Sequence, residues 1–277
     1  MRLDLTQALQ IASLTDPGLV RHHNEDCVDA RQGLGLVVLA DGMGGYQAGE
    51  VASGMATTQI SEGLGMAWTL ARPEKLSRQQ SKAVAEKLMR EQIAKANEAV
   101  YTMAQGKPEC AGMGTTLVVG LFHDNMLTVA HIGDSRMYRL RGEELTQVTK
   151  DHSLLQEQID SGLLSKEEAR FSQNRNLVTR ALGIDPAVEP DVATHEVLPG
   201  DVFLLCSDGL NDMIDDEEIR LTLLTLSANP KLAARQLVQA ANDSGGRDNT
   251  SVIFVRIIKD FAVQRGWRAR LMSRFGK

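Results

Sequence analysis

The sequence predicts an α+β fold in which antiparallel sheets lie at the centre and helices cover the outside. Short apolar runs recur along the chain, as buried strands do. Some of these runs are separated by only three or four residues, which is enough for an antiparallel hairpin but not for a parallel crossover. Helical patterns lie between the groups of strands, and neither a repeat nor a linker divides the body, so we expect one domain.

The predicted strands are mostly rich in Val, Ile and Leu and are bounded by Gly, Asp or Asn. They span residues 11–14, 34–40, 116–122, 127–132, 137–140, 144–148, 202–206 and 252–258. Residues 123–125 link the third strand to the fourth, and residues 141–143 link the fifth to the sixth. Both links have the length of a β-hairpin connection, which argues against a doubly wound parallel sheet.

The predicted helices fill the intervals between these strands. Residues 48–64 carry small side chains at many positions, which suits close packing. Residues 77–104 form the longest candidate, and Ser77 and Gln80 have the spacing of a capping box at its start. Shorter helices are expected at residues 153–161, 166–170, 216–226 and 231–242.

Composition argues against several classes of protein. Of the 277 residues, 43% are hydrophobic, which is enough for a sizeable core and too much for a disordered chain. A formal net charge of −6 argues against a protein that coats nucleic acid. Cys27, Cys110 and Cys206 lack metal-binding spacing, so neither a disulfide framework nor a zinc ribbon is expected. A reduced, cytoplasmic compartment fits best, and no signal peptide or membrane-spanning run is visible.

The last 17 residues differ from the rest in charge. Residues 261–277 hold five basic side chains and no acid, a charge of +5 that leaves −11 for residues 1–260. We therefore expect one domain over residues 1–260 and an appended basic tail. Trp267, Leu271 and Phe275 have helical spacing, so an amphipathic helix in contact with anionic lipid or an acidic partner is one interpretation. A solvated or self-docked tail is the interpretation we prefer.

Aspartates at the ends of predicted strands are the first sign of chemistry. Asp outnumbers Glu, 19 to 17, although Asp is the poorer helix former. Asp41, Asp134 and Asp208 come after apolar runs, and Asp248 precedes the last one. Each alone is more typical of a turn than of a site. Four together favour an oxygen-ligand site for hard cations, Mg²⁺ or Mn²⁺, on rigid strand ends.

Such a cluster of carboxylates suits the hydrolysis of a phosphate ester. Two bound ions would activate a water and neutralise an anionic substrate. Arg21 lies in a polar segment, and an arginine fork matches phosphate oxygens in a bidentate way. A lone arginine in a loop is ordinarily only a solvated charge, so Arg21 by itself decides nothing.

Seven short segments, in one order, carry a resemblance to a known family. They are Arg21-His22-His23-Asn24-Glu25-Asp26, Asp41-Gly42-Met43-Gly44-Gly45, Gly114-Thr115-Thr116, Gly133-Asp134-Ser135-Arg136, Asp151-His152-Ser153, Ser207-Asp208-Gly209-Leu210 and Asp248-Asn249. Each segment alone is weak evidence, but seven in order are specific. From about residue 8 to residue 258, the chain resembles the bacterial metal-dependent serine/threonine protein phosphatases of the PPM (type 2C) family.

The resemblance implies a four-layer α-β-β-α sandwich, two antiparallel sheets flanked by helices, with the site in a cleft at one end. It implies an enzyme that hydrolyses phosphoserine and phosphothreonine on proteins by metal-activated water attack, opposing a Ser/Thr kinase. Two Mn²⁺ or Mg²⁺ ions are implied, and a third in bacterial members. We expect a cytoplasmic monomer whose partners are phosphorylated proteins, among them a cognate kinase or its substrates, and not nucleic acid.

The resemblance also implies metal ligands. Asp41 would bridge two ions, and the carbonyl of Gly42 would bind one of them. Asp208 and Asp248 would complete the ligands of the first ion. Asp134, together with Asp208, matches the position that holds a weaker third ion.

Other positions match residues that act on the substrate or support the ligands. Glu25 and Asp26 would hold metal-bound water, and Arg21 would bind the substrate phosphate. Asn249 would fix Asp248 through a hydrogen bond.

One departure from the family pattern concerns the acid that protonates the leaving group. Many members have His at the position of Met43 or Tyr46; Met donates no proton, and the usual pKa of Tyr is near 10. Metal-bound water is one alternative acid. His22, His23 and His152 are others, although a surface or capping role is the simpler interpretation for each.

Three further interpretations stay open from the sequence. Residues 151–183 are polar and basic, and they either select phosphopeptides or form an ordinary loop. A non-catalytic relative is disfavoured, because clustered acids are costly without a cation. A regulatory phosphatase for a single partner has no sensor domain in support of it.

Overall fold

Two antiparallel sheets pack face to face at the centre of the molecule, and helices cover both outer surfaces. The computed structural model describes residues 4–45, 48–165, 168 and 177–265. The α+β class and the four-layer α-β-β-α order expected from the sequence are confirmed.

The strands of the described residues follow one another along the chain as β1 (Leu9–Asp16), β2 (Asp26–Arg31), β3 (Leu36–Met43), β4 (Gly114–Thr115), β5 (Leu117–His123), β6 (Met126–Ile132), β7 (Arg136–Arg141), β8 (Glu144–Gln147), β9 (Asp191–Glu196), β10 (Val202–Cys206) and β11 (Thr250–Ile257). The first sheet has the order β1-β11-β10-β7-β8. The second has the order β2-β3-β5-β6-β9, and β4 pairs with β3 beside this path. All of these strand pairs are antiparallel, so neither sheet is a doubly wound parallel sheet.

The helices of the described residues are α1 (Ala48–Ala71), α2 (Arg78–Gly106), α3 (Leu154–Asp160), α4 (Asp208–Asn211), α5 (Asp216–Leu226) and α6 (Pro230–Asp243). Helices α1 and α2 pack on the second sheet, and α5 and α6 pack on the first. Ser77 and Gln80 form the capping box that the sequence predicts for α2. Among the described residues, none of these helices has both the length and the apolarity needed to cross a membrane.

Strand β3 is buried on both faces, which explains its almost unbroken apolar sequence. Val37 and Leu39 pack between the sheets with Phe203, whereas Val38 and Ala40 pack in the layer under α1 and α2. A strand covered on both sides has no need of alternating polar residues. This central position carries the end of β3 into the candidate site.

Three strands of the structure are absent from the sequence prediction. Strands β2 and β9 lie at the edges of the second sheet, and β4 has only two residues. The sequences of β2 and β9 are polar and their side chains are mostly half-buried or exposed. Edge strands of this kind lack the apolar pattern by which buried strands are predicted. The predicted helix at 166–170 lies outside the described residues, apart from residue 168.

Residues 261–265 are attached to the end of the sandwich that lies away from Asp41. Strand β5 begins beside Asp41 and runs to a two-residue turn of Asp124 and Asn125, whose positive φ values fit a type I′ hairpin. The backbone N–H of Phe261 donates to Asn125 Oδ1 at 2.7 Å. Arg265 donates to both oxygens of the buried Asp124 carboxylate, at 3.1 and 2.5 Å.

The division of the chain at residue 260 stays a prediction. The predicted amphipathic segment of the tail, residues 266–277, lies outside the described residues.

A buried histidine ties the helical layer to the second sheet. His123 Nδ1 lies 3.0 Å from Ser81 Oγ on α2, and His123 Nε2 lies 2.9 Å from Thr128 Oγ1 on β6. The ring of Trp68 on α1 meets the imidazole edge to face, with centroids 5.0 Å apart. Burial lowers the pKa of His123 to about 4, because a charged imidazole would lose its hydration here.

His123 therefore makes stability depend on pH. The His123 imidazole is protonated near pH 6.5 in the unfolded chain and only near pH 4 in the folded chain. The folded state therefore has its full stability above pH 6.5, and it loses stability as the pH falls from 6.5 to 4. We expect protonation of this histidine to lower the free energy of unfolding by about 2 kcal/mol when the pH is lowered from about 7 to about 5.

Urea denaturation of wild type and His123→Gln at several pH values measures this effect. The variant should lose less stability than wild type over that range, whereas His22→Gln, at an exposed position, should behave as wild type does. Parallel pH curves for wild type and His123→Gln would contradict the account.

Candidate active site

Pairing of β2 with β3 places two of the predicted acids opposite each other. Asp26 and Asp41 are partners in the register of these strands. Ser207, which is fully buried, donates from Oγ to Asp26 Oδ2 at 2.8 Å and also accepts from the N–H of Ser251 at 2.9 Å. Since Ser207 immediately precedes Asp208, this contact joins the first sheet to the second at the site.

Two threonines hold the backbone of Asp41 and connect it to Asp134. The Asp41 N–H donates to Thr116 Oγ1 at 3.1 Å, and the Asp41 carbonyl accepts from Thr115 Oγ1 at 2.8 Å. Thr116 Oγ1 lies 2.7 Å from Ser135 Oγ, next to Asp134 in the chain. All three hydroxyl residues are buried, so they fix the positions of two acids that are far apart in sequence.

Gly42 is required by a close approach of three backbone segments. A Cβ at this position would lie 2.1 Å from the carbonyl oxygen of Gly49 and 2.6 Å from that of Glu25. The Gly42 N–H donates to the same Glu25 carbonyl at 3.1 Å. Position 42 therefore has no room for any side chain, because the start of α1 and the loop of Glu25 approach its backbone too closely.

Asn249 fixes the loop between β1 and β2, which carries Arg21, at three points. Its Oδ1 accepts from the N–H of Glu25 at 2.8 Å, and its Nδ2 donates to the carbonyls of Pro17 and His23 at 3.0 and 2.9 Å. The sequence prediction has Asn249 fixing the Asp248 side chain, and that assignment stays a prediction. In the structure, the Asn249 backbone N–H donates to Asp248 Oδ1 at 2.8 Å, while its side chain fixes the loop that carries Glu25.

Arg21 lies beside one of the predicted metal ligands. Its Nη2 donates to Asp248 Oδ2 at 2.6 Å, and about half of its side chain is exposed. The contact holds one side of the guanidinium, and the rest faces solvent, where an anionic ligand can reach it.

The acids of the site raise one another's pKa. The pKa of Asp41 is well above its usual value. Burial is the largest cause, and the negative charges of four neighbouring acids add to it: Asp26, Asp208, Asp134 and Asp248. Burial, with neighbouring carboxylates, likewise raises the pKa of Asp208 well above its usual range. Burial is also the main cause that raises the pKa of Asp26 and that of Asp134 to about 6. The five carboxylates predicted from separate motifs therefore lie close enough to interact.

This arrangement fits divalent cations bound through oxygen. Asp26 Oδ1 is buried and makes no hydrogen bond with the described residues, so one acceptor in the cluster still needs a partner. Clustered carboxylates repel each other unless positive charge lies between them, and hard ions such as Mg²⁺ and Mn²⁺ prefer an all-oxygen set.

Sequence reasoning missed the hydroxyl residues that position these acids. Ser207, Thr116 and Ser135 each stand next to a predicted motif position or inside a motif. Their contacts with other strands could not be predicted from residue type, because a Ser or Thr hydroxyl donates equally well to water. Arg136 is a further case, since it donates to both carboxylate oxygens of Asp151 at 2.7–3.0 Å.

The histidines considered as the acid for the leaving group lie in different surroundings. Tyr46 lies outside the described residues, and His22 and His23 are exposed. Both ring nitrogens of His152 have partners, since Nδ1 accepts from the N–H of Gly133 at 3.2 Å and Nε2 lies 3.4 Å from Asp191 Oδ2. A structural role for His152 is the simpler interpretation of these contacts.

A second group of potential ligands lies behind Asp134. His131, His152 and Asp191 have donor atoms within 4.8 Å of one another, and the two imidazoles stack with centroids 4.7 Å apart. Arg180 Nη1 lies 3.4 Å from both His152 Nε2 and Asp191 Oδ1. Because a guanidinium already lies against two of the three ligands, we interpret the group as an ion-pair cluster and not as a metal site.

Comparison with known proteins decides the family. The model of the protein phosphatase 2C family matches residues 18–250. The chain belongs to this family. The match confirms the resemblance stated from the sequence, and the enzyme is a metal-dependent serine/threonine protein phosphatase, as family members are.

Relatives and solved structures agree over nearly the whole chain. The serine/threonine phosphatase stp of Listeria monocytogenes is 36% identical over 247 residues, 87% of this chain and 93% of that protein. Stp1 from Staphylococcus aureus has a TM-score of 0.81 at 33% identity, over 93% of this chain and 98% of that one. The catalytic domain of PstP, solved with two manganese ions, has a TM-score of 0.77 at 37% identity, over 91% and 99%.

Truncation of the Asn249 side chain should loosen the site. Asn249→Ala leaves the Glu25 N–H and the carbonyls of Pro17 and His23 without partners, and we expect a loss of about 2–3 kcal/mol in the free energy of unfolding. Asn249→Asp keeps an acceptor for Glu25, but it turns a carboxylate oxygen toward two carbonyls and adds a negative charge beside Asp248, so it should lose at least as much. Urea denaturation of the three proteins measures the difference, and a variant as stable as wild type would show that these hydrogen bonds do not hold the loop.

Proposed function

We propose that this phosphatase hydrolyses phosphoserine and phosphothreonine on proteins at a carboxylate site that holds two Mn²⁺ or Mg²⁺ ions. Asp41, the Gly42 carbonyl, Asp208 and Asp248 would hold the two ions. The convergence of buried acids from separate segments carries the proposal. Asp26 lies opposite Asp41 in the strand register, Ser207 links Asp26 to the segment of Asp208, and neighbouring carboxylates raise the pKa of Asp41 and of Asp208, so the cluster needs cations. The manganese ions of PstP lend support from a relative.

The metal ions supply the positive charge and the activated water that in-line attack on phosphorus requires. Asp134, together with Asp208, would hold a third, weaker ion. This assignment rests on the resemblance and on the contact of Thr116, which holds the backbone of Asp41, with Ser135, the neighbour of Asp134 in the chain.

The chain's own residues bind and orient the substrate. Arg21 would donate to two phosphate oxygens, while Asp248 keeps its guanidinium from rotating away. Glu25 and Asp26 would accept hydrogen bonds from water at the site and fix its direction. Ser207 donates a hydrogen bond to Oδ2 of Asp26, so that Oδ1 is left to accept from water at the site.

Phosphorylated proteins are the substrates that the family and the names of its members indicate. We propose that they include a Ser/Thr kinase or the substrates of that kinase, and that the enzyme acts as a cytoplasmic monomer. Nucleic acid is not among the expected partners, because the domain is acidic.

The acids of the site argue against a non-catalytic binding protein. Such a protein would have no need for five interacting carboxylates, since each buried charge lowers stability unless a cation offsets it. A phosphatase dedicated to one regulatory partner would share the same chemistry and differ only in substrate range.

Metal dependence and Asp208 provide the test. The enzyme should release phosphate from a phosphoserine peptide with Mn²⁺, lose that activity in EDTA and regain it when Mn²⁺ returns. Asp208→Asn removes a charged ligand and should lower kcat/KM by at least about a hundredfold.

Asp243→Asn, at an exposed position on α6, is the matched control and should keep the wild-type rate. An Asp208→Asn enzyme as fast as wild type, or activity that persists in EDTA, would refute the proposed function.

A further inference from the structure

The loop that precedes Arg21 presents two large apolar side chains to solvent. Leu19 is 68% exposed and Val20 is 60% exposed. Binding residues are concentrated on loops, and contiguous exposed apolar side chains mark contact surfaces more than isolated ones do. We call Leu19 and Val20 the apolar loop.

The apolar loop is held firmly in this position. The Leu19 N–H donates to the Gly246 carbonyl at 2.7 Å, and Asn249 Nδ2 donates to the Pro17 carbonyl at 3.0 Å. Gly18 has φ of 75°, and a Cβ there would lie 2.4 Å from the Asp248 carbonyl oxygen. A surface fixed in this way loses little conformational entropy when a ligand binds.

The position of the loop matches the reach of a phosphopeptide. Leu19 and Arg21 are two residues apart, so their Cα atoms are separated by at most about 7 Å. The residues on either side of a phosphorylated serine are a similar distance along an extended substrate. A peptide whose phosphate lies on Arg21 is therefore long enough to place a neighbouring side chain against Leu19 or Val20.

We propose that Leu19 and Val20 bind apolar side chains flanking the phosphorylated residue, so that the enzyme prefers phosphoproteins with apolar residues there. This inference rests on the proposed function, because it takes Arg21 as the phosphate ligand. Continuity with Arg21 and Asp248 distinguishes the apolar loop from other exposed apolar pairs, such as Met66 and Leu70 on α1.

Two phosphoserine peptides test the preference. They differ only at the two positions on each side of the phosphoserine, which are leucine in one and serine in the other. With Mn²⁺ present, wild type should have a kcat/KM about tenfold higher for the leucine peptide, as partial burial of one or two such side chains provides. The difference should appear mainly in KM, because these contacts form equally in the ground state and the transition state.

Variants of the loop show whether these residues cause the preference. The double variant Leu19→Ser with Val20→Ser should have a ratio of about one between the two peptides, and the conservative Leu19→Met should keep the wild-type ratio. Leu198→Ser removes another exposed leucine, which lies near the β11 end remote from Asp248, and should also keep it. Thermal unfolding of each variant confirms that the fold is intact.

The outcomes separate this inference from the proposed function. A wild-type ratio near one, or a double variant that keeps the preference, would overturn the role of the apolar loop while leaving the phosphatase reaction standing. Inactivity of wild type on both peptides would overturn the proposed function and this inference with it.

Discussion

Repulsion among buried carboxylates is the constraint on which the rest of this structure depends. Asp26 and Asp41 come from one sheet, Asp208 follows β10 of the other sheet, and Asp248 precedes β11, which pairs with β10. Their negative charges and their burial raise the pKa of Asp41 and of Asp208 well above the usual range. A fold that brings such groups together without cations loses stability, so the arrangement is explained only by what binds there.

The sandwich supplies the rigidity that overcomes this repulsion. Strand β3 is buried on both faces, and its end carries Asp41 into the site on a backbone fixed by Thr115 and Thr116. Ser207 joins the two sheets at the same edge, and Asn249 ties the loop of Glu25 to the start of β11. These hydrogen bonds are made by the chain itself, so the ligands are positioned before any metal arrives.

Much of this organisation could be predicted from the sequence, and the exceptions have physical reasons. The apolar runs of β5, β6, β10 and β11 and the cap of α2 are local patterns, so they were readable. The polar edge strands β2 and β9 were not, because their stability comes from pairing with buried neighbours. The aspartates were recognised by their motifs, whereas the links from Ser207 to Asp26 and from Thr116 to Ser135 depend on contacts distant in sequence.

Isothermal titration calorimetry of the EDTA-treated protein with Mn²⁺ tests the central claim most directly. The account predicts saturable binding of at least two ions per chain, in line with the two manganese ions of PstP. It also predicts that Asp41→Asn, which removes an acid that interacts with four other carboxylates of the cluster, loses this binding. The absence of saturable binding to wild type, or equal binding by wild type and Asp41→Asn, would contradict it.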